Sequence, residues 1–436
     1  MTIQPFAAII LAAGKGTRMR SDLPKVLHKI AGFPMLSLVL RSVQSLSAEK
    51  IIIVSAADMP QVQECAKNHA PQAEIVIQKQ QLGTADAVKA AKDILGDYAG
   101  TILVLYGDTP LITNATIKLL LQKLEKNDVA VLGMRNNVAN EYGRLITEGE
   151  KLIEIVEYKN ASLEIRNINL CNSGVMAVRA NIFALLEQVK LNSSGEYYLT
   201  DLVEIANKQG LNCSFQEASA EELAGVNSRE ELSIAEASLQ RQYRKNFMQQ
   251  GVTLLDPASV YFSADTKIAA DVIIQPHVYF GTGVEIEAGA EIRAFSHIEG
   301  AKIGKNAVVG PFARLRLGTV LEENVGIGNF VEVKNATFKE GAKASHLSYL
   351  GDATIGKHAN IGAGTITCNY DGVKKSHTEI GDNAFIGSNT ALVAPVNIGA
   401  GALVGAGSTI TRDVEAGSLA LTRSEQKEIE GWRIGN

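Results

Sequence analysis

Three strings in the first half of the chain have residue types and spacings that could act on a phosphate. Leu11 to Met19 reads LAAGKGTRM. Gly14 and Gly16 let the backbone come close to an anion, and successive N–H groups there can form a nest for phosphate oxygens. Arg18 and Lys25 add fixed positive charge. The string is not a Walker loop, because no Gly-Lys-Ser/Thr closes it. It is not a dinucleotide fingerprint either, because Met19 stands where the third glycine belongs. The plainer reading is a surface turn with solvated cations. In Tyr106-Gly107-Asp108-Thr109-Pro110-Leu111, Asp108 is suited to a magnesium ion beside phosphates, or simply to capping the helix that follows. Gln78 with Gly83-Thr84 could read a nucleobase edge by hydrogen bonding, or cap a helix.

All three strings follow apolar segments that read as strands: Ala7 to Leu11, Glu74 to Ile77 and Thr101 to Leu105. Further strands are expected at Ile51 to Val54 and Val129 to Leu132. Helices are expected at Pro34 to Leu46, Thr84 to Leu95 and Thr113 to Lys126. This alternation implies a mostly parallel sheet with helices on both faces. Ligands in such sheets bind beyond the carboxyl ends of the strands, so the loops 12 to 20 and 106 to 110 fall where chemistry is done.

The chain changes character near residue 250. Residues 1 to 227 hold 14 glycines, residues 228 to 250 none, and residues 251 to 436 hold 25. Ser228 and Glu231 have capping-box spacing and Gly251 supplies a stop, which predicts a helix over 228–250. Leu232, Ala235, Leu239, Tyr243 and Phe247 share one face of it. Beyond it an apolar residue recurs every six positions. One run is Ile268, Ile274, Phe280, Ile286, Ile292 and Ile298. A second is Ile303, Val309, Leu315, Leu321, Ile327 and Val333, and a third is Ile380, Ile386, Leu392, Ile398, Val404 and Ile410. Period six fits a triangular parallel β-helix, with each hexad forming one side, the apolar residue inside and glycine or a small residue at the corner. The spacing predicts about eight or nine coils. Between Thr367 and Glu379 the phase breaks, so that segment should loop out of the solenoid.

Composition narrows the function classes. The chain has 436 residues and a formal charge of −5, which argues against a nucleic-acid partner. The longest apolar run near the start, Ala7 to Ala13, is too short to cross a membrane and lacks the flanks of a signal peptide. Cys65, Cys171, Cys213 and Cys368 form neither a disulfide framework nor a zinc pattern, which suits a cytoplasmic location.

The strings taken together resemble a family. LAAGKGTRM, PKVLH (Pro24 to His28), GTADA (Gly83 to Ala87) and YGDTPL look like a sugar-phosphate nucleotidylyltransferase. NEYGR (Asn140 to Arg144), IVEYK (Ile155 to Lys159), NSG (Asn172 to Gly174), GEYYLTD (Gly195 to Asp201) and GVNSR (Gly225 to Arg229) continue the match in order. ASHLSYLGD (Ala344 to Asp352), IGAGTITCNYDG (Ile361 to Gly372) and LTRSEQKEIEGW (Leu421 to Trp432) lie in the hexad region. The whole chain is similar to the bifunctional bacterial N-acetylglucosamine-1-phosphate uridyltransferases and glucosamine-1-phosphate acetyltransferases.

The resemblance implies an α/β chain of three parts. A Rossmann-like nucleotidylyltransferase domain spans 1–227, a linker helix 228–250, and a left-handed parallel β-helix acetyltransferase domain with a C-terminal tail 251–436. UTP and acetyl-CoA are the implied co-substrates, Mg2+ the implied metal and a homotrimer the implied assembly. By the same resemblance the product would serve peptidoglycan and lipopolysaccharide synthesis. Leu11, Ala12, Ala13, Gly14, Gln78, Gly83, Thr84, Tyr106 and Gly107 would hold the uridine nucleotide, and Lys25 its phosphate. Arg18 would stabilise charge on the transferring phosphoryl group. Asp108 and Asn227 would bind Mg2+, and Gly143, Glu157 and Asn172 the acetylated sugar.

In the hexad region His346 would be the general base for acetyl transfer, since an amine must lose a proton as it is acylated. Arg316 and Lys334 would grip the sugar phosphate, with Tyr349 and Asn360 lining it. Ala363, Asn369, Tyr370, Ser388, Ala406 and Arg423 would hold acetyl-CoA, Asn369 and Tyr370 also facing the sugar. The oxyanion donor is either a backbone N–H near Ala363 or the Tyr349 hydroxyl. His277, His297, His358 and His377 are read as surface or core residues. Two rival readings are a monofunctional sugar-1-phosphate nucleotidylyltransferase with a structural or regulatory β-helix, and a non-enzymatic scaffold.

Overall fold

The structure, a computed structural model, describes residues 4–136, 141–179, 182–192 and 195–432; Asn140, the first residue of NEYGR, lies outside them. The chain divides into two compact units, with the division between Leu239 and Gln240.

In the first unit the strand Phe6–Leu11 is buried along its whole length. Alternate residues serve opposite faces: Phe6, Ala8 and Ile10 join one apolar cluster, Ala7, Ile9 and Leu11 the other. A parallel strand covered on both sides needs such a continuous apolar run. Phe6–Leu11 pairs in parallel with Lys50–Ala56 and Thr101–Tyr106, and Glu74–Gln78 extends the sheet beyond Lys50–Ala56. These strands match the sequence expectation to within a residue or two. The remainder of the nine-stranded sheet is mixed. Leu170–Val178 runs antiparallel between Thr101–Tyr106 and Val129–Arg135. The chain enters it after the antiparallel hairpin of Arg144–Glu148 and Lys151–Val156 and the one-turn helix Leu163–Arg166.

The helix expected over 84–95 is two pieces, Thr84–Lys89 and Lys92–Leu95, separated where Ala91 N donates to Val88 O in a tightened turn. A helix at Pro60–His69, unread in the sequence, opens on proline at a position where a missing N–H costs nothing.

The helix Arg229–Gln249 forms as its capping box predicts. Glu231 N donates to Ser228 Oγ (3.2 Å), and the Glu231 carboxylate accepts from Ser228 N (2.9 Å). From Gln240 onward this helix belongs to the second unit, where the buried Gln240 amide exchanges two hydrogen bonds with the Phe262 backbone, at 2.6 and 2.8 Å.

The second unit is a parallel β-helix. Every apolar residue of the three hexad runs is buried in one continuous core. Coils stack in parallel register: Ile268 pairs with Ile286 and that residue with Ile303. One face carries ten strands, from Thr253–Leu254 to Leu419–Ala420. That exceeds the eight or nine coils expected, because the first and last strands lie outside the hexad runs.

The corners differ from expectation as well. Many are turned by non-glycine residues at positive φ, including Asn306, Asn324 and Asn383, and one corner by His277, Phe295, Phe312 and Phe330 at φ 56 to 60°. Asparagine tolerates this region. The aromatic residues stack coil on coil, with ring centroids 4.9, 4.9 and 5.2 Å apart. The phase break loops out as expected, with Tyr370 bridging Lys375 and Asp371 Oδ1 accepting from Val373 N and Lys374 N at its tip. No described helix is long and apolar enough to cross a membrane.

Truncating a hexad residue in the sealed core should be costly. Ile292→Ala is expected to destabilise the β-helix by about 2–5 kcal/mol, read from the shift of its denaturant transition. A loss below about 1 kcal/mol would mean that the core collapses around the cavity.

Candidate active sites

In the first unit the loops after Leu11, Gln78 and Tyr106 converge at the carboxyl ends of their strands. They enclose a cleft of about 450 Å3. Of the sequence candidates, Leu11, Ala12, Ala13, Gly14, Lys25, Gln78, Gly83, Thr84, Tyr106, Asp108 and Asn227 line it. Gly107 lies beneath, its N–H bonded to Leu11 O at 2.9 Å so that the two strand ends stay together. Arg18 stands exposed on the short 3-10 turn Thr17–Met19 and does not line the cleft, while Met19 anchors the turn in the core. Lys15, Gln81, Glu196 and Tyr198 also line it, none of them singled out in the sequence although Lys15 lies in the LAAGKGTRM string. Gln81 is held by its Nε2 donating to Ala13 O at 2.7 Å, and Glu196 and Tyr198 sit inside the GEYYLTD string. A second cleft, of about 400 Å3, includes Thr101, Val129 and Val178 at the opposite edge of the sheet, away from these loops.

Two glycines are required by geometry. At Gly16 (φ 61°) a Cβ would meet Lys25 Cβ at 2.5 Å, so the loop can press against Lys25 only without a side chain. At Gly83 (φ 109°) a Cβ would meet Tyr197 O at 2.5 Å and N at 2.9 Å.

The cleft's charges meet at Lys25. Its ammonium donates to Asp108 Oδ2 and, at 2.8 Å, to Asn227 Oδ1. Asn227 and Asp108 are tied by backbone too, since Val226 N donates to Asp108 O at 2.9 Å. The Gln78 amide nitrogen is committed to Gly83 O (3.1 Å) and Asp86 Oδ2 (2.7 Å), which leaves its oxygen as an acceptor.

Gly143, Glu157 and Asn172 form an adjoining group. Asn172 N donates to Gly143 O at 2.8 Å, and Glu157 Oε1 accepts from Thr200 Oγ1 at 3.0 Å. A register shift between Asn172 and Met176 brings Gly174 against the Tyr106 ring, as bulges beside sites commonly do. Burial raises the Glu157 carboxyl above its ordinary range, with the Thr200 hydrogen bond opposing. The Tyr106 phenol is raised by burial and by the charges of Glu157 and Asp108.

In the second unit the candidates divide between two corners. His346 and Leu347 occupy one of them. Stacked on the same corner are Asn329-Phe330, Ala363-Gly364, Ser388-Asn389 and Ala406-Gly407, linked coil to coil by Leu347 N to Asn329 O, Gly364 N to Leu347 O, Asn389 N to Ala363 O and Gly407 N to Ser388 O. The proposed base and three of the six acetyl-CoA candidates, Ala363, Ser388 and Ala406, are therefore equivalent residues of successive coils. Arg423 joins the column by donating to Ala406 O at 3.1 Å.

His346 is exposed, and its Nδ1 lies 2.7 Å from Asn329 Oδ1. An amide oxygen can only accept, so Nδ1 carries the proton and Nε2 keeps its lone pair. Sequence reasoning missed Asn329; its signal is its place one coil before His346, in register with it.

At the next corner Lys334 pairs with Gly351, one coil after Arg316. The Lys334 ammonium is held below the usual lysine value, first by its contact with Lys375 from the looped-out segment and then by the Lys375 and Arg316 charges. Such crowding of cations is relieved by an anion. Arg316 is also paired with Glu332 at 2.8 Å. Burial alone would raise Asp352, but hydrogen bonds from Asn335 and Asn369 and the nearby lysines outweigh it and leave the carboxyl below its ordinary value. Asn369 is thereby fixed beside the sugar-phosphate candidates, and Tyr370 is exposed. Tyr349 and Asn360 lie half-buried on successive strands that belong to different faces of the β-helix. His277, His297, His358 and His377 are all on the surface.

Fold and sites together define a nucleotidyltransferase joined to a hexapeptide-repeat transferase. A family model for the MobA-like NTP transferase domain matches residues 8–200, and one for the bacterial transferase hexapeptide (six repeats) matches 377–412. The chain is similar over its length to the bifunctional protein GlmU of Zymomonas mobilis, at 51% identity with 98% of this chain and 97% of the relative covered. It is similar also to those of Paramagnetospirillum magneticum (51%; 99% and 96%) and Sphingopyxis alaskensis (52%; 98% and 95%). The chain belongs to the GlmU family of bifunctional proteins.

Gly83→Ala should lower nucleotide affinity at least about 10-fold, because the Tyr197 backbone has no room to retreat and alanine resists this φ. Calorimetric titration with UTP checks it. Parental affinity would show that the loop before Thr84 relaxes freely.

Proposed function

We propose that the family's two reactions are divided between the two units, uridylyl transfer at the Lys25–Asp108–Asn227 cleft of residues 1–227 and acetyl transfer along the His346 corner of residues 251–436. The chain is a bifunctional enzyme that makes UDP-N-acetylglucosamine, acetylating glucosamine-1-phosphate and then uridylylating the product. The observation that supports the division is that each set of reactive residues is assembled within one unit.

At the β-helix, Arg316, Lys334 and Lys375 hold the sugar phosphate, a dianion that neutralises their mutual repulsion. The amine of the sugar attacks the thioester carbonyl of acetyl-CoA. His346 Nε2 takes the amine proton as the C–N bond forms, and the C–S bond breaks to release CoA as its thiolate, which can recover that proton. Asn329 keeps the imidazole in the tautomer this requires. Acetyl-CoA lies along Ala363, Ser388, Ala406 and Arg423.

At the cleft, the 1-phosphate oxygen of the acetylated sugar attacks the α-phosphorus of UTP in line and pyrophosphate leaves. Such a transfer depends on positioning and charge neutralisation more than on covalent help. The Gln78 oxygen offers an acceptor to the uracil N3–H, and the 12–14 loop and Lys25 meet the phosphates. Gly143, Glu157 and Asn172 hold the sugar. Arg18 would add charge to the transferring group if its turn folds inward. Asp108 and Asn227 would hold Mg2+. Their oxygens already converge on one cation, the Lys25 ammonium, and hard oxygen donors suit this ion. When bound it supplies further positive charge to the phosphates.

The assembly is read as a homotrimer. The half-exposed stack Phe295, Phe312 and Phe330 ends at the His346 corner, and a second copy covering it would lie beside the acetyl site. A cytoplasmic location accords with the supply of both co-substrates and with four free cysteines.

Asp108→Ala should abolish uridylyl transfer and leave acetyl transfer intact, whereas His346→Ala should cut acetyl transfer about 10²-fold or more and spare uridylyl transfer. Both activities are assayed on each purified variant, and any variant that loses the two together contradicts the division. Phe312→Glu should convert the trimer to monomers by sedimentation and remove acetyl transfer while uridylyl transfer persists. An unchanged sedimentation coefficient would place the interface elsewhere.

A further inference from the structure

We infer that Arg229 is a positioning residue for nucleotidyl transfer, holding Lys25 and Asn227 in one frame. This rests on the assignment of the cleft made above. Arg229 opens the helix Arg229–Gln249, two residues after Asn227, and its guanidinium reaches back to both N-terminal segments of the site. Nε donates to Met19 O at 3.3 Å, where the glycine loop ends. Nη1 lies 3.1 Å from His28 Nδ1. A guanidinium can only donate, so Nδ1 accepts and the imidazole proton is on Nε2.

That arrangement has a cost. His28 is only 4% exposed, and its Nε2 has no hydrogen-bond partner among the described residues. Burial and then the Arg229 charge lower the His28 pKa, and the backbone at Leu23 raises it in part. A buried imidazole with an unmet donor is tolerated where its other nitrogen serves a purpose, and here that nitrogen receives Arg229.

His28 is in turn locked to Lys25, since its N–H closes the 3-10 turn by donating to Lys25 O at 3.2 Å. Asn227 is locked to the same helix start, its N–H donating to Glu231 Oε2 at 2.6 Å. The path Lys25, His28, Arg229, Asn227 therefore closes on itself through the hydrogen bond of Lys25 to Asn227. The first turn of this helix is part of the site's frame, not only a connector. Lysine could not replace Arg229, because a single ammonium lacks the planar fork that spans two acceptors on different segments.

The test uses the full-length enzyme with Arg229→Ala and Arg229→Lys. Uridylyl kcat should fall about 10- to 100-fold in both, the scale of a small misplacement of reacting groups, with KM for UTP changed less than about threefold and acetyl transfer at the parent's rate. Arg229→Lys, which keeps the charge, should melt with the parent and serves if the alanine variant folds poorly. Added to Lys25→Ala, Arg229→Lys should bring little further loss, since a residue acting through Lys25 cannot act without it. A kcat within threefold of the parent in Arg229→Lys, or losses that multiply fully with Lys25→Ala, would overturn the inference. Should Lys25→Ala and Asp108→Ala themselves retain uridylyl transfer, the cleft assignment would fall instead.

Discussion

Parallel strand pairing is the constraint on which both units depend. In a parallel sheet every strand ends at the same edge, so whatever follows Leu11, Gln78 and Tyr106 must gather there. In a parallel β-helix the same rule acts coil by coil. A residue at a given place in one coil lies over its equivalent in the next, so a column of equivalent residues becomes a continuous surface. The Asn329, His346, Ala363, Ser388 and Ala406 column is such a surface. Both sites include left-handed turns, at Gly16, Gly83 and Gly174 in the first unit and at Phe330 and Leu347 in the second, and these are set into a regular frame. Each needs only that register be kept, and the sealed apolar core keeps it, because a slip of one residue would turn the hexad side chains outward.

Charge placement then decides what each site can bind. Both hold cations that protein groups only partly neutralise. Lys25 shares Asp108 and Asn227, and Lys334 faces Lys375 and Arg316 with Asp352 behind. The two arrangements are not alike. At the cleft an ammonium rests on oxygen donors that also suit a divalent ion, so cation and phosphate binding are linked. At the β-helix the like charges of Lys334, Lys375 and Arg316 crowd against one another, which suits a sugar phosphate.

Much of this was legible in the sequence, for reasons of periodicity. Six-residue spacing leaves no choice of inner face, so the spacing alone assigns every hexad residue to the core. The Ser228 and Glu231 cap was equally local. What escaped depends on contacts distant in sequence. Asn329 is one asparagine among many until the coil register sets it against His346. Lys375 joins Lys334 only because the looped-out segment folds back on itself. The corners were expected to be small, yet stacking on neighbouring coils lets Phe295, Phe312 and Phe330 hold a backbone conformation that bulky residues avoid. The antiparallel strand Leu170–Val178 was hidden because Asn172, Ser173 and Gly174 interrupt its apolar pattern where the register shifts. Arg229 looked like part of a linker, and only the fold shows it reaching Met19 and His28.

The central claim is that register alone builds the acetyl site along one corner while the strand ends build the nucleotide site. A crystal structure of the chain with CoA and UDP-N-acetylglucosamine bound tests it most directly. The account predicts CoA running past Ala363, Ser388 and Ala406 toward His346, and the uridine diphosphate between the 12–14 loop, Gln78 and Gly83. CoA seated on another face of the β-helix, with His346 turned to solvent and clear of it, would contradict the account.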